Sequence, residues 1–309
     1  MTTADILLLG NANVDLVLGE IDGWPVIGTE VVVERSEMRP GGSAGNMALA
    51  LAGMGKPFLF VASTGDDPNG AWLRAQFDTR FCRWILDEGQ TTVTVGIVHK
   101  GGDRVFFTTP GHLQTARTQD LLDALPSAPH EGAIAVIAGG YLMPDIAAGT
   151  ARLLQELSGR GWRTAIDPGW PPSGWDTTTL GQMAEWLGLA DFALLNAEEV
   201  KGIARADDID QAASLLVKRL RPSQTLVIKT GPEGARAYRG DEHATAAAPE
   251  VRVIDTVGAG DTFNAAFVSA LVRGGSLREA LTSGVKTAAR AISTFPRRYD
   301  ALGSSALGL

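Results

Sequence analysis

With 309 residues, 45% apolar and 20% charged side chains, the chain has the makeup of a folded α/β enzyme and not of a disordered polymer. A net charge of −8 and the absence of any Lys/Arg block argue against a nucleic-acid partner. The single cysteine, Cys82, excludes an internal disulfide and suits a cytoplasmic setting, while no apolar run nears the roughly 20 residues that span a membrane.

Residues 6–9 form a short apolar run, the pattern of a buried strand, leading into a turn at 10–13 and then Val14 and Asp15. Residues 31–33 are β-rich. The Ala-rich segment 43–54 predicts a helix, followed by a strand over 57–62. Cys82 sits among Phe81, Trp84 and Ile85 and reads as packed. Strand patterns over 91–98 and 104–108 flank a turn at 101–103. With the region around 29–35 they suit a small sheet inserted within about 15–40 and 91–110, standing off the main body. From about residue 115 onward strands and helices alternate. Strand patterns lie at 133–138, 163–166, 192–195 and 225–229, with helix patterns at 146–157, 180–187 and 209–220. Apolar strands separated by amphipathic helices predict a mostly parallel sheet covered on both faces. Residues 277–292 are helical by propensity, and no repeat or linker divides residues 1–309, so they read as one domain with an inserted lid.

The densest chemistry lies at Asp255, Thr256, Val257, Gly258, Ala259, Gly260 and Asp261, at the mouth of a helix predicted over 261–272. Gly258, Ala259 and Gly260 carry little bulk, so their N–H groups can close around an anion. The unpaired first amides of the helix add partial positive charge. Asp261, within the first turn, could take a proton from an alcohol beside that anion, which is the layout phosphoryl transfer needs. A Gly-rich turn with an N-capping Asp fits the same residues.

Asn13 and Asp15 follow the first strand at its carboxyl end, where α/β sheets place ligands. A carboxylate there could accept from two sugar hydroxyls or cap its own turn. Gly41 and Gly42 allow close approach to a ligand, and Asn46 supplies donors and acceptors. Gly41, Ser43 and Gly45 also satisfy G-x-S-x-G, the nucleophile elbow of serine hydrolases. Pro40 is a poor end for a central strand, and of the four histidines only His243 falls late, in a polar run, so that chemistry is disfavoured. Asn196 and Glu199 open a helix after a strand and fit an N-cap. Lys229, Thr230 and Gly231 close another strand; Lys229 reads more as a solvated strand end than as a phosphate contact. A P-loop, a full dinucleotide fingerprint and a zinc-type cluster are all missing.

Residues 255–263 closely resemble the C-terminal signature of the ribokinase-like (PfkB-type) carbohydrate kinases. Gly41, Gly42, Ser43, Ala44, Gly45 and Asn46, with the small-residue run to Gly55, resemble that family's N-terminal signature. The resemblance implies a three-layer α/β/α domain with a mostly parallel central sheet and a small β-sheet lid. It implies an ATP- and Mg²⁺-dependent phosphotransferase acting on a hydroxyl of a small sugar. In that frame Asp261 is the general base and the amides of Gly258, Ala259 and Gly260 form the anion hole. Asn13, Asp15, Gly41, Gly42 and Asn46 match acceptor contacts. Asn196, Glu199, Thr230 and Gly231 match the nucleotide and Mg²⁺ side. Asp255 and Thr256 match the place where many relatives hold a monovalent cation such as K⁺, largely through main-chain carbonyls. Relatives often dimerise through the lid, which makes a homodimer an expectation here. A nucleoside kinase of the same fold, or a non-catalytic sugar or nucleotide sensor, are the alternatives. Ser43 stands where ribokinases proper and several sugar-phosphate kinases carry Lys, and the stretch 138–142 lacks an acidic residue that ribokinases proper have near there. Asp167 and Pro168 match the family's usual pair at a strand end. Tyr141 could stack on a ring but reads better as a packed residue, and Trp170 and Trp175 could line a pocket or equally pack within their loop.

Overall fold

Strand β1 (Ile6–Gly10) is buried at every residue, and its side chains divide between two cores. Ile6 and Leu8 join one hydrophobic cluster and Leu7 and Leu9 the other. That is why the run is apolar without alternation: helices cover both faces of the sheet. The computed structural model describes residues 5–100, 104–127 and 129–300.

Among the described residues the larger sheet is nine-stranded. Its parallel part runs, in spatial order, β5 (Cys82–Asp87), β4 (Leu59–Gly65), β1, β8 (Ile134–Ala138), β9 (Arg163–Asp167), β10 (Phe192–Asn196) and β11 (Thr225–Lys229). An antiparallel hairpin, β12 (Ala235–Arg239) and β13 (Glu242–Ala246), finishes one edge. Against one face pack α1 (Ser43–Gly53), α2 (Pro68–Ala75), α9 (Ala259–Val272) and α10 (Leu277–Ile292). Against the other pack α3 (His112–Thr115), α4 (Thr118–Asp123), α5 (Pro144–Gly159), α6 (Thr177–Leu189), α7 (Ala197–Ala204) and α8 (Ile209–Val217). The architecture is three-layer α/β/α with a mostly parallel sheet. Among the described residues no helix is long and apolar enough to cross a membrane.

Among the described residues a separate sheet of four strands has the order β3 (Arg35–Gly41), β2 (Asn13–Ile21), β6 (Val93–His99) and β7 (Arg104–Thr108). The β-rich residues Val31, Val32 and Val33 are not in it: they form an irregular segment in which Val32 is 91% exposed, and the strand begins four residues after Val31. Val31–Val33 has β propensity, but propensity makes a strand only where a partner strand stands alongside, and β2 pairs with 35–41 instead. Pro40 lies in β3, an edge strand, where its missing N–H costs no ladder bond. The turn expected at 101–103 lies outside the described residues. The edge strands β5 and β13, with β12 beside β13, and helix α2, carry too many polar residues to have stood out as periodic patterns.

Candidate active site

The carboxyl edge of the parallel strands, the N-terminus of α9 and the smaller sheet meet at one place. Gly258 caps α9 with φ +71°, a left-handed conformation that glycine adopts without strain. A side chain there would also press on Asn46 Nδ2 and Arg297 Nη1, 3.1 and 3.2 Å from the Cβ position. The helix starts at Ala259, two residues before the predicted start, which puts Asp261 in its first turn. Asn46, on α1, donates from Nδ2 to Asp261 Oδ2 at 2.8 Å. Burial, with the nearby Asp167 carboxylate, pushes Asp261 up to about 7, against the pull of Asn46 and Lys229.

The three amides of the expected anion hole are not equivalent. The Ala259 N–H donates to the Thr256 carbonyl at 3.1 Å and is spent in the turn. Among the described residues, the Gly258 and Gly260 amides have no backbone acceptor. Both stand at the positive end of α9.

Asp15 lies on β2 with Asn13 two residues before it on the same face, so Asn13 Nδ2 reaches Asp15 Oδ1 at 2.7 Å. Gly41 faces them from β3, and a Cβ on it would collide with the Asp15 carboxylate. Burial raises Asp15 to about 6 although Arg39 beside it favours the ionised form. Gly42 precedes α1, whose first amide, that of Ser43, donates to Asn11 Oδ1 at 2.9 Å. Asp255 Oδ2 takes Arg39 Nη1 at 2.5 Å and Arg297 Nη2 at 3.0 Å, while Oδ1 takes the Val257 amide at 3.0 Å. Burial opposes it, yet the Val257 amide and the guanidinium groups hold Asp255 below the usual carboxylate range.

On the other side of α9, Lys229 is not a solvated strand end. Its Nζ lies 2.9 Å from Asp167 Oδ2 and 3.3 Å from Asn264 Oδ1, with the side chain 13% exposed. Asn264 Nδ2 donates to the same Asp167 oxygen. Asn196 and Glu199 form a reciprocal capping box at the start of α7: Asn196 Oδ1 accepts from the Glu199 amide and Glu199 Oε2 from the Asn196 amide, both at 2.8 Å. Burial and the neighbouring Asp167 push Glu199 well above its ordinary value. Thr230 donates its amide to the Gly234 carbonyl, and Gly231 turns with φ +59°. The turn at Gly231 borders a cavity of about 600 Å³ lined by Lys229, Gly231, Ala248, Phe263, Val285 and Ala288 among others.

Asn264, Arg39 and Arg297 went unread in the sequence. Asn264 had a usable signal, since it lies three residues after Asp261 and so on the same side of the helix. The arginines had none. The packing alternative holds for Tyr141, whereas Trp170 is exposed. Tyr141 is buried, donates its hydroxyl to the Thr179 carbonyl and tilts against Trp186. Trp170 and Trp175 meet edge to face in a loop. Neither His112 nor His243 serves Ser43: the His112 ring nitrogens face the Thr92 amide and the Ala12 carbonyl, and His243 stacks on Tyr238.

Residues 3–297 match the family described as pfkB family carbohydrate kinase. The chain is 31% identical over 247 residues to a fructokinase of Klebsiella pneumoniae, covering 76% of this chain and 78% of that one. It is 27% identical over 284 residues to an ATP-dependent ribose-1-phosphate kinase of Halopiger xanaduensis, covering 89% and 88%. Its fold is similar to that of an adenosine kinase from Sinorhizobium meliloti, with a TM-score of 0.79 at 20% identity over 97% of both chains. A ribokinase from Thermotoga maritima gives a TM-score of 0.74 at 20% identity, covering 94% of this chain and 93% of that one.

Proposed function

The chain belongs to the pfkB family of carbohydrate kinases, and from that premise we propose that it moves the γ-phosphoryl group of ATP to a hydroxyl of a small sugar, with Asp261 as general base. The observation that carries this reading is the place of the Asp261 carboxylate. It is anchored by Asn46 on one oxygen, sits in the first turn of α9, is near enough to feel the Asp15 charge, and directly follows Gly260, which lines the cavity bordered by Gly231.

Asn13, Asp15, Asn46 and the close-approaching Gly41 and Gly42 bind and orient the acceptor through its hydroxyls. The reacting hydroxyl gives its proton to Asp261 as its oxygen bonds to the γ-phosphorus and the bond to the β-phosphate oxygen breaks, releasing ADP. A carboxylate held near 7 is a stronger base than an exposed aspartate and is still about half ionised at neutral pH. The amides of Gly258 and Gly260, with the α9 dipole, offset the charge on the transferred group. The cavity of about 600 Å³ is of nucleotide size, with Gly231 in its wall and Thr230 next to it in the chain, both on the side of the phosphates. Glu199, tied into the capping box, and Asn196 lie on the Mg²⁺ side. Mg²⁺ itself keeps waters and leans on the phosphates, needing only one or two carboxylates from a protein, and it neutralises phosphate charge. The Asp255 carboxylate is engaged by two guanidinium groups, so a monovalent cation at Asp255 and Thr256 would rely on main-chain carbonyls. The smaller sheet acts as the lid through which two copies would pair, with Phe106 and Phe107 exposed on opposite faces of its edge strand β7.

A screen for ADP release over free sugars, sugar acids, sugar phosphates and nucleosides identifies the acceptor; no release with any of them would refute the kinase reading. Asp261→Asn should keep the fold and lose about 10²–10⁴ in kcat. Full turnover in that variant would remove Asp261 from the role of base.

A further inference from the structure

Lys229 and Asp167 end two strands of the parallel sheet, β11 and β9, and their side chains meet at its carboxyl edge in a nearly buried ion pair. Asn264, from α9, bonds both partners. Such a pair adds little stability beyond what packed apolar side chains would give, because desolvating both ions cancels most of their attraction. Attention therefore turns to what the ammonium faces. An ammonium carries three N–H donors, and Asp167 and Asn264 account for two. Nζ lies 3.5 Å from where a Cβ on Gly260 would stand. Lys229, Gly260 and Gly231 line the same cavity of about 600 Å³. Its charge is secure: burial works against it, but Asp167 and Glu199 keep the ammonium protonated above its ordinary range.

We propose that Lys229 is a phosphate-contacting residue, its ammonium aimed by Asp167 and Asn264 so that it donates to the β- and γ-phosphate oxygens of a nucleotide bound beside Gly260. The proposal rests on the kinase reading above and adds a residue to it. During transfer Lys229 neither gains nor loses a proton. It offsets the charge that grows on the β-phosphate oxygen as the bond to the γ-phosphorus breaks, while Asp261 receives the acceptor's proton.

Titration calorimetry with ATP, ADP and adenosine on the wild type, Lys229→Met and Lys229→Gln tests this without knowledge of the acceptor. Both variants should bind ATP and ADP about 10- to 100-fold more weakly, the range for a hydrogen bond to a charged group. Adenosine, which has no phosphate, should bind as it does to the wild type. Glutamine retains a donor for Asp167, so it keeps the test open if methionine prevents folding. Unchanged ATP affinity, or equal losses for ATP and adenosine, would overturn the assignment and leave Lys229 a structural partner of Asp167. A wild type that binds none of the three would overturn the kinase reading itself.

Discussion

Where α9 meets the smaller sheet, Asp15, Asn46, Arg39, Asp255 and Arg297 form a cluster of ion pairs and side-chain hydrogen bonds. Where the same helix meets β11 and α10, Ala248, Val251, Phe263, Val285, Ala288 and Ile292 give a cavity with mainly apolar walls. The two halves suit two kinds of ligand. Hydroxyls are told apart by directional bonds, and a site that must satisfy buried polar groups rejects a ligand that leaves them unpaired. A flat base is held by contact area and tolerates small changes in shape. The acceptor half should therefore be strict and the nucleotide half lenient, with the α9 N-terminus common to both.

The largest expected effect falls on the shared element. Asp261 must be ionised to accept a proton, and its carboxyl is held near 7, so kcat/KM should climb with pH and level off above about 7. At pH 5 it should stand about 100-fold below the plateau. A profile already flat from pH 5 would show that the proton goes elsewhere. Next comes the acceptor half. Asp15→Ala should raise the KM for the acceptor by about 10- to 100-fold and leave the KM for ATP within about twofold. Equal rises in both would mean that the two halves are not separable. The smallest effect belongs to the cavity. Ala288→Trp, which intrudes on its wall, should raise the KM for ATP by only a few-fold, with acceptor KM unchanged in the same steady-state measurement. A change in acceptor KM instead would place that wall against the sugar.

Several site residues could be read because their signals are local. Gly258, Gly260 and Asp261 share one turn, and Gly41, Gly42 and Asn46 another, so a short window carries each. Asn196 and Glu199 showed as an N-cap by their place at the mouth of a helix. Lys229 was misjudged for the opposite reason. Seen along the chain it ends a strand and precedes a Gly turn, where a lysine usually reaches water. Its partners stand 62 and 35 residues away, and nothing near it names them. Arg39 and Arg297 meet on one oxygen of Asp255 across separations of 216 and 42 residues, which no local pattern records.

By itself the sequence determined the layered α/β class, since unbroken apolar runs such as β1 must be covered on both sides. It also determined the two glycine-rich turns, because only residues without bulk leave amides and backbone open to a ligand. Tertiary structure decided which charges face one another: that Lys229 turns inward to Asp167, that the Ala259 amide is spent on Thr256, and that β2 pairs with 35–41 and not with 31–33. Those outcomes depend on distances between remote segments. Electrostatic and hydrogen-bond energies fall so steeply with separation that composition along the chain does not reveal them.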